Sequence, residues 1–151
     1  LVLVGDGHFR PTLEKTVKRK KLEDLIFFLG EKPHGEIGSI LKVSDVFAFS
    51  SLSETQGLAV AEAMAVGLPV VVVGEGGALE FIDNKENGLV VPNLPKEFAS
   101  AILSIIGSSD LASFLGQNAQ KKVIALRPEV VYQEIEGLYS QLTKEFIPVR
   151  K

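Results

Sequence analysis

No cysteine occurs among the 151 residues, which excludes disulfides, thiolate nucleophiles and cysteine metal sites. The compartment stays open on that count, because cysteine-free chains suit reducing and oxidising surroundings alike. Histidine is nearly as scarce. His8 and His34 have no third ligand grouped with them, which argues against a metal centre. No apolar run approaches the roughly 18 residues that a membrane span needs. The opening LVLVGDGH lacks the basic segment and the apolar length of a signal peptide. Cations are not in excess either: a net charge of −3 and a pI near 5.5 argue against nucleic acid as the main partner. There is no initial Met, and the first residues already read as a strand, so the expectation is an excerpt of a longer chain.

What is present is an ordinary globular composition, 46% hydrophobic and 23% charged, in a length that suits one domain with a substantial core. Short apolar runs at Leu1–Val4, Leu25–Leu29, Val46–Phe49, Pro69–Val73 and Gly88–Val91 read as strands. Helical patterns lie between them at about Pro11–Lys21, Gly35–Val43 and Gly57–Val66, and three more follow Val91. The last, about Glu129–Phe146, places Val131, Ile135, Leu138 and Leu142 along one stripe, with Pro128 suited to its first turn. Alternation of this kind predicts an α/β fold, a Rossmann-like doubly wound parallel sheet with helices on both faces. Ligands of such sheets sit beyond the carboxyl ends of the strands. Those ends are Gly5–His8, Gly30–Gly35, Ser50–Gly57 and Gly74–Gly77.

Among them SETQGLAVAEAMAVGLPVVVV, residues 53–73, carries the most chemistry. A helix starting near Gly57 offers free N–H groups and the positive end of its dipole, together worth roughly 0.3–1 kcal/mol to an anion. Glycine there lets a phosphate reach the backbone without meeting a Cβ. Ser50, Ser51, Ser53 and Thr55 add hydroxyls, and with Glu54 they either cap the helix or face a ligand. Glu62 falls in the second turn, and eight helical steps from Glu54 amount to ~80° of rotation, so both acids could border one site. Ala59, Ala61, Ala63 and Ala65 mark a helix packed closely on the sheet. An acid on such a helix sits at its exposed edge or is buried with a partner. A carboxylate can also hold a sugar diol by accepting two hydroxyl hydrogen bonds.

These residues resemble the Glu-seven-Glu motif of GT-B glycosyltransferases of family 4, also called group 1. The motif is read in ETQGLAVAEAMAVGLPVV, and LVLVGDG, IFFLGEK, LKVSDVFAFSS and GGALEFIDNKENGLVVP follow the family order over nearly the whole chain. The resemblance implies the C-terminal, donor-binding half of a GT-B fold that lacks its first βα unit. It implies retaining transfer from a UDP-, GDP- or ADP-sugar to an acceptor, lipid or polysaccharide, without cofactor or essential metal. It also implies a cytoplasmic location, extending to the inner face of the membrane.

Carried over by position, the resemblance gives Glu54 the transferred sugar near the reacting centre. Gln56, Gly57 and Leu58 would meet the diphosphate and sugar through backbone N–H groups. Glu62 would hold the ribose hydroxyls, and the backbone of Glu31 and Lys32 would meet the base. Gln56 departs from the aromatic residue usual in the family, and the Thr-Gln pair is similar to diacylglycerol glucosyltransferases. The family's first βα unit supplies an Arg and a Lys to the diphosphate, and its strand is central in the sheet. That unit and the acceptor domain lie outside these 151 residues, so the chain alone is expected to be inactive.

Other features have plainer readings. The basic run Lys15–Lys21 is a solvated helix face or a contact for anionic lipid. Gly74–Glu80 supplies turn glycines and is a candidate sugar-side loop, with a mainly structural role expected. An NAD-binding domain is a poor match, since GDGHFRP is not G-x-G-x-x-G and Glu23 and Asp24 precede the second strand instead of ending it. Two alternatives stand: a non-catalytic nucleotide-sugar-binding module on the same fold, or a related GT-B enzyme such as a nucleotide-sugar epimerase.

Overall fold

A computed structural model describes residues 1–74, 76–125 and 127–146. It divides into two units, Leu1–Ile40 and Leu41–Lys151. The expected parallel strands and flanking helices are present, in two sheets of two and three strands.

In the first unit β1 (Val2–Val4) pairs in parallel with β2 (Phe27–Gly30), Val2 beside Phe27 and Leu3 beside Phe28. Between them runs α1 (Arg10–Arg19), with Pro11 in its first turn, where a missing N–H costs nothing, and Lys18 and Arg19 in its last, where cations suit the dipole. The second strand begins two residues later than the apolar run predicts. The amides of Leu25 and Ile26 are already bonded to the Leu22 carbonyl, at 3.0 and 3.1 Å, so a turn holds them out of the ladder. Next comes α2 (His34–Lys42), which ends across the division between the units.

The second unit holds β3 (Phe47–Phe49), α3 (Leu58–Ala65), β4 (Val70–Val73) and β5 (Leu89–Val91), then α4 (Pro95–Ile106), α5 (Ser109–Ile124) and α6 (Pro128–Phe146). Its strands run parallel in the order β3–β4–β5. All four valines of β4 are buried, which requires cover on both faces of the sheet. Val71 meets Ala101 and Ile105 of α4 and Leu115 of α5. On the alternate side Val70 approaches Ile82 so closely around Gly88 that a Cβ there would stand 2.7 Å from the valine. Ser108 caps α5 by accepting from the Leu111 amide at 3.3 Å.

Between β4 and β5 the segment expected as turn glycines forms a short 3-10 helix, Gly77–Phe81. The stripe predicted on α6 has Val131 half-buried, while Ile135, Leu138 and Leu142 are exposed. Among the described residues no single helix is long and apolar enough to cross a membrane.

Candidate functional site

Gly57 is the hinge between the loop after β3 and α3. It adopts φ 65°, a left-handed conformation open to glycine, and its carbonyl accepts the first helical bonds, from Val60 at 2.9 Å and Ala61 at 3.2 Å. A Cβ at this position would also lie 2.6 Å from Cα of Ala78. The neighbouring glycines form the other half of that contact. The Gly77 amide donates to the Glu54 carbonyl at 2.8 Å, and a side chain on Gly77 would be driven into the Thr55 carbonyl oxygen. Backbone therefore lies directly on backbone, and the glycines expected to be structural are what hold the loop ahead of α3. Glu75 lies outside the described residues.

The half-buried Glu54 turns its carboxylate back onto this loop. Its Oε1 accepts from the amides of Thr55 at 3.0 Å and Gln56 at 3.2 Å. The amides of Gln56 and Gly57, joined by Thr55, hold the carboxyl below its ordinary value, with burial opposing them. The carboxylate thus lies on the loop just ahead of α3. The hydroxyls of Ser50, Ser51, Ser53 and Thr55 bond to none of the described residues.

Glu62 stands elsewhere. With Leu58, Ala61 and Ala65 it forms one wall of a cavity of about 300 Å³. These positions recur at helical spacing, so one face of α3 carries them all. Val123 and Ile124 of α5, with Arg127 after it, line the other side. Two close contacts hold α5 against α3. Gly116 packs on the Gly67 carbonyl without room for a Cβ, and Gln120 Nε2 donates to the Ala65 carbonyl at 3.1 Å.

Among the expected site residues, then, Leu58 and Glu62 meet in one cavity, while Glu54, Gln56 and Gly57 form the amide loop that leads into the same helix. Glu31 and Lys32 belong to the first unit, exposed just after β2, with Lys32 Nζ 3.9 Å from Glu36. His8 lies against the Phe9 ring at 4.2 Å. Lys15, Lys18, Arg19, Lys20 and Lys21 are exposed along α1 and its end. Among the described residues no three His, Asp or Glu side chains group as metal ligands. Sequence reasoning missed Arg127 and the end of α5, because nothing local to residues 123–127 signals a neighbour on α3.

The family model described as glycosyl transferases group 1 matches residues 1–122. The alpha-monoglucosyldiacylglycerol synthase of Acholeplasma laidlawii is 30% identical over 141 residues, 93% of this chain and 35% of that protein. Among solved structures, HepE of Anabaena in complex with UDP and glucose aligns with 92% of this chain and 39% of its own, at a TM-score of 0.78 and 30% identity. Sucrose-phosphate synthase of Thermosynechococcus elongatus aligns with 96% of this chain and 39% of its own, at a TM-score of 0.82 and 30% identity. The chain thus spans between a third and two-fifths of each of these relatives.

Proposed function

The chain belongs to the glycosyl transferases of group 1, and from that premise we propose that it is the donor-binding part of an enzyme moving sugar from a nucleotide diphosphate to an acceptor. The observation that carries this reading is the start of α3, where left-handed Gly57 presents the backbone of residues 56–58 between two acids. HepE of Anabaena, which shares this fold, is solved with UDP, with UDP and glucose, and with UDP-glucose. On this reading the donor diphosphate lies on those amides, and the fixed dipoles stabilise the charge that grows on it as the sugar departs. Glu62, one turn further along, takes the ribose diol.

Glu54 and a donor phosphate are then alternative occupants of the same N–H groups. In the free chain the carboxylate of Glu54 accepts from one of them, the Gln56 amide, and from the Thr55 amide beside it. Donor binding releases it toward the sugar, where it positions the hydroxyls near the reacting carbon. Transfer proceeds with retention, and the leaving phosphate accepts the acceptor's proton. The cationic clamp for the diphosphate and the acceptor domain belong to the rest of the protein, so residues 1–151 alone bind donor weakly and do not turn over.

Calorimetric titration of the full-length protein with UDP-, GDP- and ADP-sugars tests the reading. One of them should bind, and Glu62→Ala should weaken it about 10–100-fold, the value of a charged hydrogen bond or two. Unchanged donor affinity in that variant removes Glu62 from the site.

A further inference from the structure

The cavity beside Glu62 has a second charged group that the reading above does not use. Arg127 sits between α5 and α6, and its backbone is pinned on both sides. Its amide donates to the Ile124 carbonyl at 3.2 Å, and its own carbonyl accepts from Val130 at 3.0 Å and Val131 at 3.1 Å. Its guanidinium makes no hydrogen bond or ion pair with any described residue. A fixed Cα and an unpartnered planar cation at the edge of a cavity are what bidentate recognition of an anionic oxygen group requires.

The walls support the same conclusion. Ala61 and Ala65 keep the α3 side open, while Val123 and Ile124 make the α5 side apolar. Among the described residues, the charged groups that line the space are Glu62 and Arg127. A volume of about 300 Å³ is at the lower end for small-molecule sites, roughly 300–1,000 Å³, so it suits part of a sugar nucleotide. In any nucleoside diphosphate the phosphate is bonded to the ribose. A cation sharing a cavity with the acid that holds the ribose is therefore placed for a phosphate oxygen.

We infer that the α3–α5 cavity is a subsite for the nucleoside-phosphate junction of the donor, in which Arg127 binds a phosphate oxygen opposite Glu62. The inference rests on the nucleotide-sugar reading, and it adds a cation supplied from the far end of α5 to any that the rest of the protein contributes.

The test uses the full-length protein and two probes: whichever of UDP, GDP and ADP binds most tightly, and the corresponding nucleoside without phosphate. Arg127→Ala should weaken the diphosphate about 10-fold or more and leave the nucleoside unchanged, with Arg127→Lys between wild type and Ala. Arg127→Gln, which keeps most of the side chain's length, should match Ala. Glu62→Ala should weaken both probes. Full diphosphate affinity in Arg127→Ala, while Glu62→Ala still weakens the nucleoside, overturns the inference and leaves the donor reading standing. Equal losses for nucleoside and diphosphate in Arg127→Ala also overturn it, because the residue would then act on the fold instead of on phosphate. No effect of Glu62→Ala on either probe removes Glu62 from the donor site, and the inference falls with it.

Discussion

Strands that are alike in being short and apolar end in opposite environments in the two units. In β4, Val70, Val71 and Val72 have no exposed surface and Val73 keeps 3%. In β1 and β2, Val2, Val4, Phe27 and Leu29 keep 45%, 42%, 51% and 39%, while Leu3 and Phe28 between them are half-buried. The first pattern is that of a central parallel strand under cover on two faces, the second that of strands covered on one. A parallel strand advertises two buried faces by its composition, but only neighbouring elements can bury them. In the second unit α4 and α5 do so, through Ala101, Ile105 and Leu115 on Val71. In the first unit α1 has one buried residue of its own, Val17.

The comparison is sharpest in large-to-small mutations of one apolar side chain in each unit. Met64→Ala, at a site with no exposed surface, should cost about 2–5 kcal/mol in denaturant unfolding of the full-length protein. Phe27→Ala should cost about 1 kcal/mol, since half of that ring is already in solvent. Equal losses would mean that β2 is as well covered in the full-length protein as the core around β4.

A smaller effect is expected at the hinge of α3. Gly57→Ala forces a side chain into the left-handed region and against Ala78, a strain of about 1–3 kcal/mol. The same variant should lose donor binding, because the loop amides would move. Gly35, which has open space around it and no positive φ, is the control and should tolerate alanine. Wild-type donor affinity in Gly57→Ala would detach the loop from the site.

The smallest effect is electrostatic and compares one acid from each unit. The Gly7 amide and the Arg10 guanidinium, bonded to Asp6 at 2.7 and 2.9 Å, hold that carboxyl below its ordinary value, as the amides of Gln56 and Gly57 hold Glu54. A carboxyl lowered in the folded state adds stability above its unfolded pKa and loses it as pH falls through the lowered one. Both contributions should therefore vanish on acidification and not on alkalinisation. Carboxyl chemical shifts report the two midpoints. Nucleoside diphosphate should raise the midpoint of Glu54 and leave that of Asp6 alone. An ordinary midpoint for Glu54 in the free protein would contradict its place on the loop amides.

Much of the fold was legible residue by residue. The five strands and the helices between them follow from short-range periods and glycine punctuation, and the start of α3 at Gly57 follows from the φ that only glycine adopts cheaply. Where the reading slipped, a local pattern met a non-local contact. The Leu22 carbonyl delays β2, and residues Gly77–Phe81 form a 3-10 helix whose first amide, that of Gly77, is bonded to the Glu54 carbonyl. The α6 stripe is amphipathic as written, yet its period says nothing of what is available to cover it.

By itself the sequence determined the alternation of strands and helices, the eight-residue spacing of Glu54 and Glu62, and membership of the family. These depend on neighbours along the chain and on a motif written within one stretch. Only the tertiary structure decided that Glu54 bends back onto the amides of Thr55 and Gln56 while Glu62 lines a cavity together with Arg127. That pairing joins residues 62 and 127, and it exists because α5 can approach α3 where Gly116 meets Gly67, a contact between positions far apart in the chain.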